Sequence, residues 1–235
     1  PADAGIDPIE NVPETTDLTL ATVWGNLREV ARDRTTWLAG LTIFCSNGVN
    51  LSVLGLWGVP YLVQTHGLSV TAASAYTLLG SVGLLVGTPT VGYLSDRLEH
   101  RTGVIVVGSL VYVLALGSLA VLQRPPLALV AGALFLAGFL TGAFVLGYTV
   151  VKERFSAEKS GVAIGAVNAI AFVGPALVPT AMGIALDAYW TGETIAGARV
   201  YTQVGYQVAF GLTVVVAVLG VGCAVWLHRE VGQTA

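Results

Sequence analysis

Six stretches of this chain carry no Asp, Glu, Lys, Arg or His: Trp37–Leu62, Val70–Ser95, Gly103–Leu122, Leu127–Val151, Ser160–Leu186 and Val204–Leu227. Each is long enough, at 1.5 Å per helical residue, to cross a hydrocarbon core about 30 Å thick. In lipid the backbone must satisfy its own hydrogen bonds, so unalternating apolar runs of this length fold as helices; barrel strands would alternate. The chain is 11% charged and 54% hydrophobic, against about 25% charged in soluble domains. The expectation is an all-α membrane protein with six transmembrane helices.

Charge placement sets the topology. Arg28, Arg32, Arg34, Arg97, Arg101, Lys152, Arg154, Lys159 and Arg229 fall on one side of the six runs, and only Arg124 and Arg199 on the other. Basic loops stay cytoplasmic, which predicts both termini inside and a multi-pass protein of the plasma membrane. Trp37 and Trp226 are expected at the inner interface, and Trp57, Tyr61, Tyr189 and Trp190 at the outer one, as an aromatic belt. Residues 1–18 are rich in Pro, Asp, Glu and Thr and read as a cytoplasmic linker, with no signal peptide. Residues 19–35 place Leu20, Trp24, Leu27 and Ala31 on one face and Arg28, Glu29, Arg32 and Asp33 on the others, the pattern of an interfacial amphipathic helix, with an ordinary solvated linker helix as the alternative. The bundle then covers residues 36–228, and residues 229–235 form a cytoplasmic tail.

Several function classes are excluded on chemistry. A net charge of −3 offers no basic footprint for nucleic acid. Cys45 and Cys223 sit inside apolar runs as free packing residues, with no metal-ligand or disulfide spacing. No nucleophile–base pair, metal cluster or phosphate loop is present, so the reading is no enzyme and no cofactor. Glycines recur four apart at Gly83/Gly87, Gly138/Gly142 and Gly161/Gly165, a spacing that lets helix backbones approach closely. Pro60, Pro89, Pro175 and Pro179 allow kinks.

Between the second and third runs lies the charged stretch Gly92-Tyr93-Leu94-Ser95-Asp96-Arg97-Leu98-Glu99-His100-Arg101. So short a hinge makes its flanking helices antiparallel. Gly92 lets the helix end pack closely, Asp96 can accept from backbone amides at a neighbouring helix N-terminus, and Arg97 and Arg101 can pair with carboxylates or headgroups. Lys152-Glu153-Arg154 is the expected partner cluster, so Gly92, Asp96, Arg97, Arg101, Glu153 and Arg154 form a candidate conformational latch. A solvated basic loop explains the arginines equally, and Asp96 less well.

The G-x-L-S-D-R pattern followed by basic residues resembles the loop motif of major facilitator superfamily transporters, except that Glu99 stands where the motif has Gly. Trp57-Gly58-Val59-Pro60-Tyr61-Leu62, the opening decapeptide from Pro1 to Glu10, and Lys152-Glu153-Arg154-Phe155-Ser156 with Gly161 and Asn168 resemble elements of sugar-phosphate and organophosphate permeases of that superfamily. The resemblance implies the C-terminal six-helix half of a twelve-helix fold, built as 3+3 inverted repeats, whose partner is an N-terminal six-helix half. It implies secondary active transport of a small solute by alternating access. The alternatives are a transporter-like membrane sensor of a metabolite, and a truncated or self-pairing six-helix protein. Leu51 occupies the position of an arginine in the organophosphate antiporters, so their phosphate clamp does not carry over.

Buried amides are costly in lipid unless partnered, so polar residues at mid-depth mark either a wet cavity or interhelical hydrogen bonds. Asn47 and Asn50, three apart on one face beside Ser46, are the leading candidates for binding the solute, with Tyr76, Tyr148 and Asn168 as further ones.

Overall fold

The computed structural model describes residues 20–195 and 197–234, so the linker at 1–18 and the final residue lie outside the described residues. A short helix α1 (Leu20–Arg32) turns at Asp33 into the first span. That span is α2 (Arg34–Asn50), a π-helical segment (Leu51–Trp57) and α3 (Gly58–His66). There follow α4 (Val70–Leu98), α5 (Arg101–Val121), α6 (Leu127–Arg154), α7 (Ala157–Ala171), α8 (Gly174–Asp187), an antiparallel hairpin of β1 (Trp190–Ile195) and β2 (Ala198–Tyr201), and α9 (Gln203–Thr234). With α7 and α8 taken as one span, six helical spans are long and apolar enough to cross a membrane. The sequence placed all six.

Packing follows the glycines. α4 lies along α6, where a Cβ on Gly83 would overlap the Phe135 carbonyl and one on Gly87 the Phe139 carbonyl. From the other side, Gly138 abuts Gly80 and Gly142 abuts Gly87. Two of the expected glycine pairs therefore pack on each other, which only backbones without side chains between them can do. The third pair, Gly161 and Gly165, has nothing within 4 Å. α5 packs on α6 and α9, and α2 is enclosed by α6, α7, α8 and α9. By contrast α4 and the α7–α8 span leave most of their surface uncovered, with Leu78, Leu85, Leu177 and Ile184 turned outward.

The helices depart from the sequence reading in several places. Gly92 to Leu98 is helical, so the charged hinge shrinks to Glu99 and His100. The fifth span is broken at Phe172–Val173, where Gly174 and Pro175 restart the helix; Pro175 has no N–H to continue the ladder. The π segment widens the first span, and a Cβ on Gly58 would overlap the Val53 carbonyl, so glycine permits the wide turn. Tyr61 does not join an outer belt: it is buried, edge-on to His66, Tyr206 and Phe210. At the other end, α9 runs on to Thr234, so residues expected as a tail are helical.

The hairpin, at the end of the bundle opposite the arginine-rich face, was not anticipated. Gly197 supplies the left-handed backbone of the turn, at φ 81°, and Gly192 that of the irregularity within β1 between Trp190 and Thr194, at φ 87°. Gln64 of α3 ties it down, donating to the Arg199 carbonyl at 3.0 Å and accepting from the Tyr201 N–H at 2.9 Å. Asp187 pairs with Arg199 at 2.8 Å and accepts from the Tyr201 hydroxyl at 3.1 Å. Burial first, and then that hydrogen bond, raise the Tyr201 phenol above its ordinary value.

Candidate functional site

Asn47 and Asn50 line an open groove of about 410 Å³ together with Leu51, Leu54, Ser81, Leu84, Thr141 and Phe172. The two asparagines, Ser81 and Thr141 lie about 20–25 Å along their helices from the arginine-rich face, which is mid-depth. α2 presents both amides because its half-buried positions recur every third residue among buried ones, at Leu41, Phe44, Asn47 and Asn50. The π segment begins immediately after Asn50 and turns Leu51 into the groove, 40% exposed. The break in the fifth span brings Phe172 and Pro175 to the opposite wall. Irregular backbone at this depth is tolerated where it lines a cavity.

The two amides differ. Asn50 donates to Thr141 Oγ1 at 2.8 Å and accepts from the Tyr112 hydroxyl at 2.9 Å, linking α2, α5 and α6. Tyr112 is almost completely buried against Phe144, so Asn50 is its outlet for a hydroxyl that lipid would leave unpaired. Asn47 makes no side-chain hydrogen bond among the described residues, and its amide is available to the groove.

The remaining polar candidates sit apart from that pair. Tyr148 donates to Asn168 Oδ1 at 2.8 Å, joining α6 to α7 nearer the arginine-rich face. Tyr76 lies toward the other face of α4, half-buried. Neither lines the groove with the asparagines. Sequence reasoning overlooked Thr141, Ser81 and Tyr112; their signal is a hydroxyl in an otherwise apolar run, at a depth matching that of the asparagines.

The charged candidates gather at the other end of the bundle. Arg101 bridges Asp96 at 2.6 Å and Glu153 at 2.8 Å, tying α4 and α5 to the end of α6. Asp96 caps no helix; α5 starts at His100 without a side-chain cap. Arg154 turns from this trio to Asp33, at 2.8 Å. Arg97 is exposed and forms no ion pair among the described residues, and Gly92 faces open space. Glu99 takes a left-handed backbone, φ 52°, the conformation a glycine would adopt without strain. Among the described residues, no three His, Cys, Asp or Glu side chains come close enough to hold a metal.

A family model described as the Major Facilitator Superfamily matches residues 36–234. The chain belongs to the major facilitator superfamily. Among solved structures, this superfamily member resembles a bacterial homologue of the human lysosomal transporter Spinster, captured inward-facing and unoccupied. That match has a TM-score of 0.74 at 21% identity and covers 95% of this chain but 52% of the other, so it speaks for the fold. A curated relative is the gentisate transporter of Corynebacterium glutamicum, 29% identical over 135 residues, covering 57% of this chain and 29% of the relative. This superfamily chain thus spans about half or less of the proteins it matches.

Proposed function

We propose that the chain is the C-terminal half of a twelve-helix secondary transporter, working by alternating access in the plasma membrane with both ends of the chain cytoplasmic. The observation that carries this reading is the mid-depth groove, where the unpaired Asn47 amide faces Leu51, Leu54, Leu84 and Phe172. An N-terminal half would complete the cavity by covering α4 and the α7–α8 span, whose Gly161/Gly165 stripe invites a second backbone. The solute this half suits is a small organic molecule with an apolar or aromatic body and hydroxyl or carbonyl groups for the amides. No span interior of this half holds a charge, so a solute carboxylate would be neutralised by the other half or by helix ends. Gentisate, the solute named for the curated relative, fits those terms.

The trio at Asp96, Arg101 and Glu153 acts in this reading as a conformational latch. Its ion pairs are exposed, and such pairs contribute about 0–1 kcal/mol each, so the latch biases an equilibrium a few-fold and does not bolt it. Binding and latching are then separable. Uptake of labelled gentisate by the complete protein in proteoliposomes, competed with benzoate and with glycerol phosphate, tests the solute class. Uptake inhibited by benzoate alone supports it; uptake of neither aromatic acid overturns it. Asn47→Ala in the same assay should raise KM at unchanged abundance, and an unchanged KM would remove Asn47 from the binding site.

A further inference from the structure

Helix α1 is held at a fixed roll across the arginine-rich face. Lys159, at the start of α7, donates to Glu29 at 2.6 Å. Asp33 divides its carboxylate at the elbow: Oδ1 accepts from Arg154 Nε at 2.8 Å, while Oδ2 caps α2 by accepting from the Thr36 N–H at 2.8 Å. The Trp37 indole N–H closes the elbow, donating to the Ala31 carbonyl at 2.8 Å. Val30 is fully buried.

With Val30 buried and the exposed Glu29 paired to α7, a turn of about 100° per residue places Trp24, Leu27, Arg28, Ala31 and Arg32 on the side away from those contacts. Trp24 is 70% exposed, and Val23 and Leu27 are exposed beside it. Arg28, Arg32 and the neighbouring Arg34 are exposed too, and none forms an ion pair among the described residues. The carboxylates of α1 and its elbow are spent on the protein side, so the outward side is purely apolar and cationic.

We propose that this outward stripe of α1 is a binding surface for anionic phospholipid. Trp24 and Leu27 enter the upper acyl region while Arg28, Arg32 and Arg34 meet headgroup phosphates. Two observations choose a bilayer as the occupant. Charge complementarity is one: three unpaired guanidiniums flank an apolar stripe, the pattern of helices that lie in the interface of acidic membranes. Continuity is the other, since Trp37, within the first turn of the membrane-crossing α2, is itself exposed and marks the membrane boundary at the level of α1. The ties from Glu29 and Asp33 make the stripe part of the bundle, so lipid contact there bears on the ends of α6 and α7.

The test uses the complete protein with its native cysteines, Cys45 and Cys223 among them, replaced by alanine and Ala31→Cys on the same outward side as the reporter, in nanodiscs of phosphatidylcholine with or without phosphatidylglycerol. Each basic residue near an anionic surface changes partition by roughly fivefold. Modification of the cysteine by a water-soluble thiol reagent should therefore slow by about fivefold or more when phosphatidylglycerol is present. High salt should erase the difference, as should Arg28→Gln with Arg32→Gln, which break no ion pair. A bimane on the same cysteine should be quenched by brominated phosphatidylglycerol. Equal modification rates in the two lipids, or a difference that survives the double arginine variant, overturns the proposal. Slow modification in both lipids without bromolipid quenching would show protein covering the stripe, and overturns it as well.

Discussion

Two asparagines three residues apart carry different burdens, and substitution should separate them. Asn50→Ala leaves the Tyr112 hydroxyl buried without a partner, at a cost of about 1–3 kcal/mol. We expect a lower melting temperature for the detergent-solubilised protein, with lost expression accounting for lost transport. Asn47→Ala removes no hydrogen bond within the chain, so melting should hold while solute KM rises about two- to tenfold, the equivalent of one hydrogen bond of 0.5–1.5 kcal/mol. The reverse pattern would exchange their roles. Glu99 offers a third test. Its left-handed backbone costs an L-residue about 1 kcal/mol, so Glu99→Gly should raise the melting temperature, and a decrease would mean that the glutamate is held by contacts worth more than the strain. At this scale the sequence told residue types but not partners. The depth of Asn50 was legible from its place in an apolar run; its bond to Tyr112, sixty-two residues on, was not.

Helices were legible where burial in lipid leaves the backbone one choice, and illegible where single residues set the local path. The glycine pairs of α4 and α6 announced close packing by spacing alone, though nothing in that spacing said they would meet each other while Gly161 and Gly165 stayed bare. Gly138→Val drives a side chain into the Gly80 backbone and should destabilise by roughly 1–3 kcal/mol or more, whereas Gly132→Ala, with open space at its Cβ, should be neutral or slightly stabilising. Equal melting temperatures for the two would refute the α4–α6 contact. The break at Phe172–Val173 had a signal in Gly174-Pro175, outweighed by the apolar run on either side. The hinge was read too long because charge implies water, but a helix can carry its charges past the membrane boundary, as α4 does to Leu98. The hairpin was missed because its strands are short, with no buried face to impose alternation.

For the whole molecule, orientation is the property most open to a direct measurement. Arginine and lysine asymmetry predicts that a single cysteine at Ala157 is shielded from an impermeant thiol reagent added to intact cells, while one at Thr191, on the exposed hairpin, is modified. The opposite pattern would invert the protein in the membrane. A π turn is an α-helix holding one surplus residue, and each residue of an α-helix is worth about 100° of rotation. The chain therefore carries a phase correction in the middle of its first span, beside Asn50, that aims everything after it: the Trp57 indole at the Pro179 carbonyl, Tyr61 into the aromatic cluster with Tyr206 and Phe210, Gln64 onto the hairpin. Deleting one residue between Leu51 and Leu56 would restore regular winding and swing α3 by that angle, pulling all three side chains from their partners while the groove below kept its asparagines. The last third of this span is thus a dial set by a single amino acid.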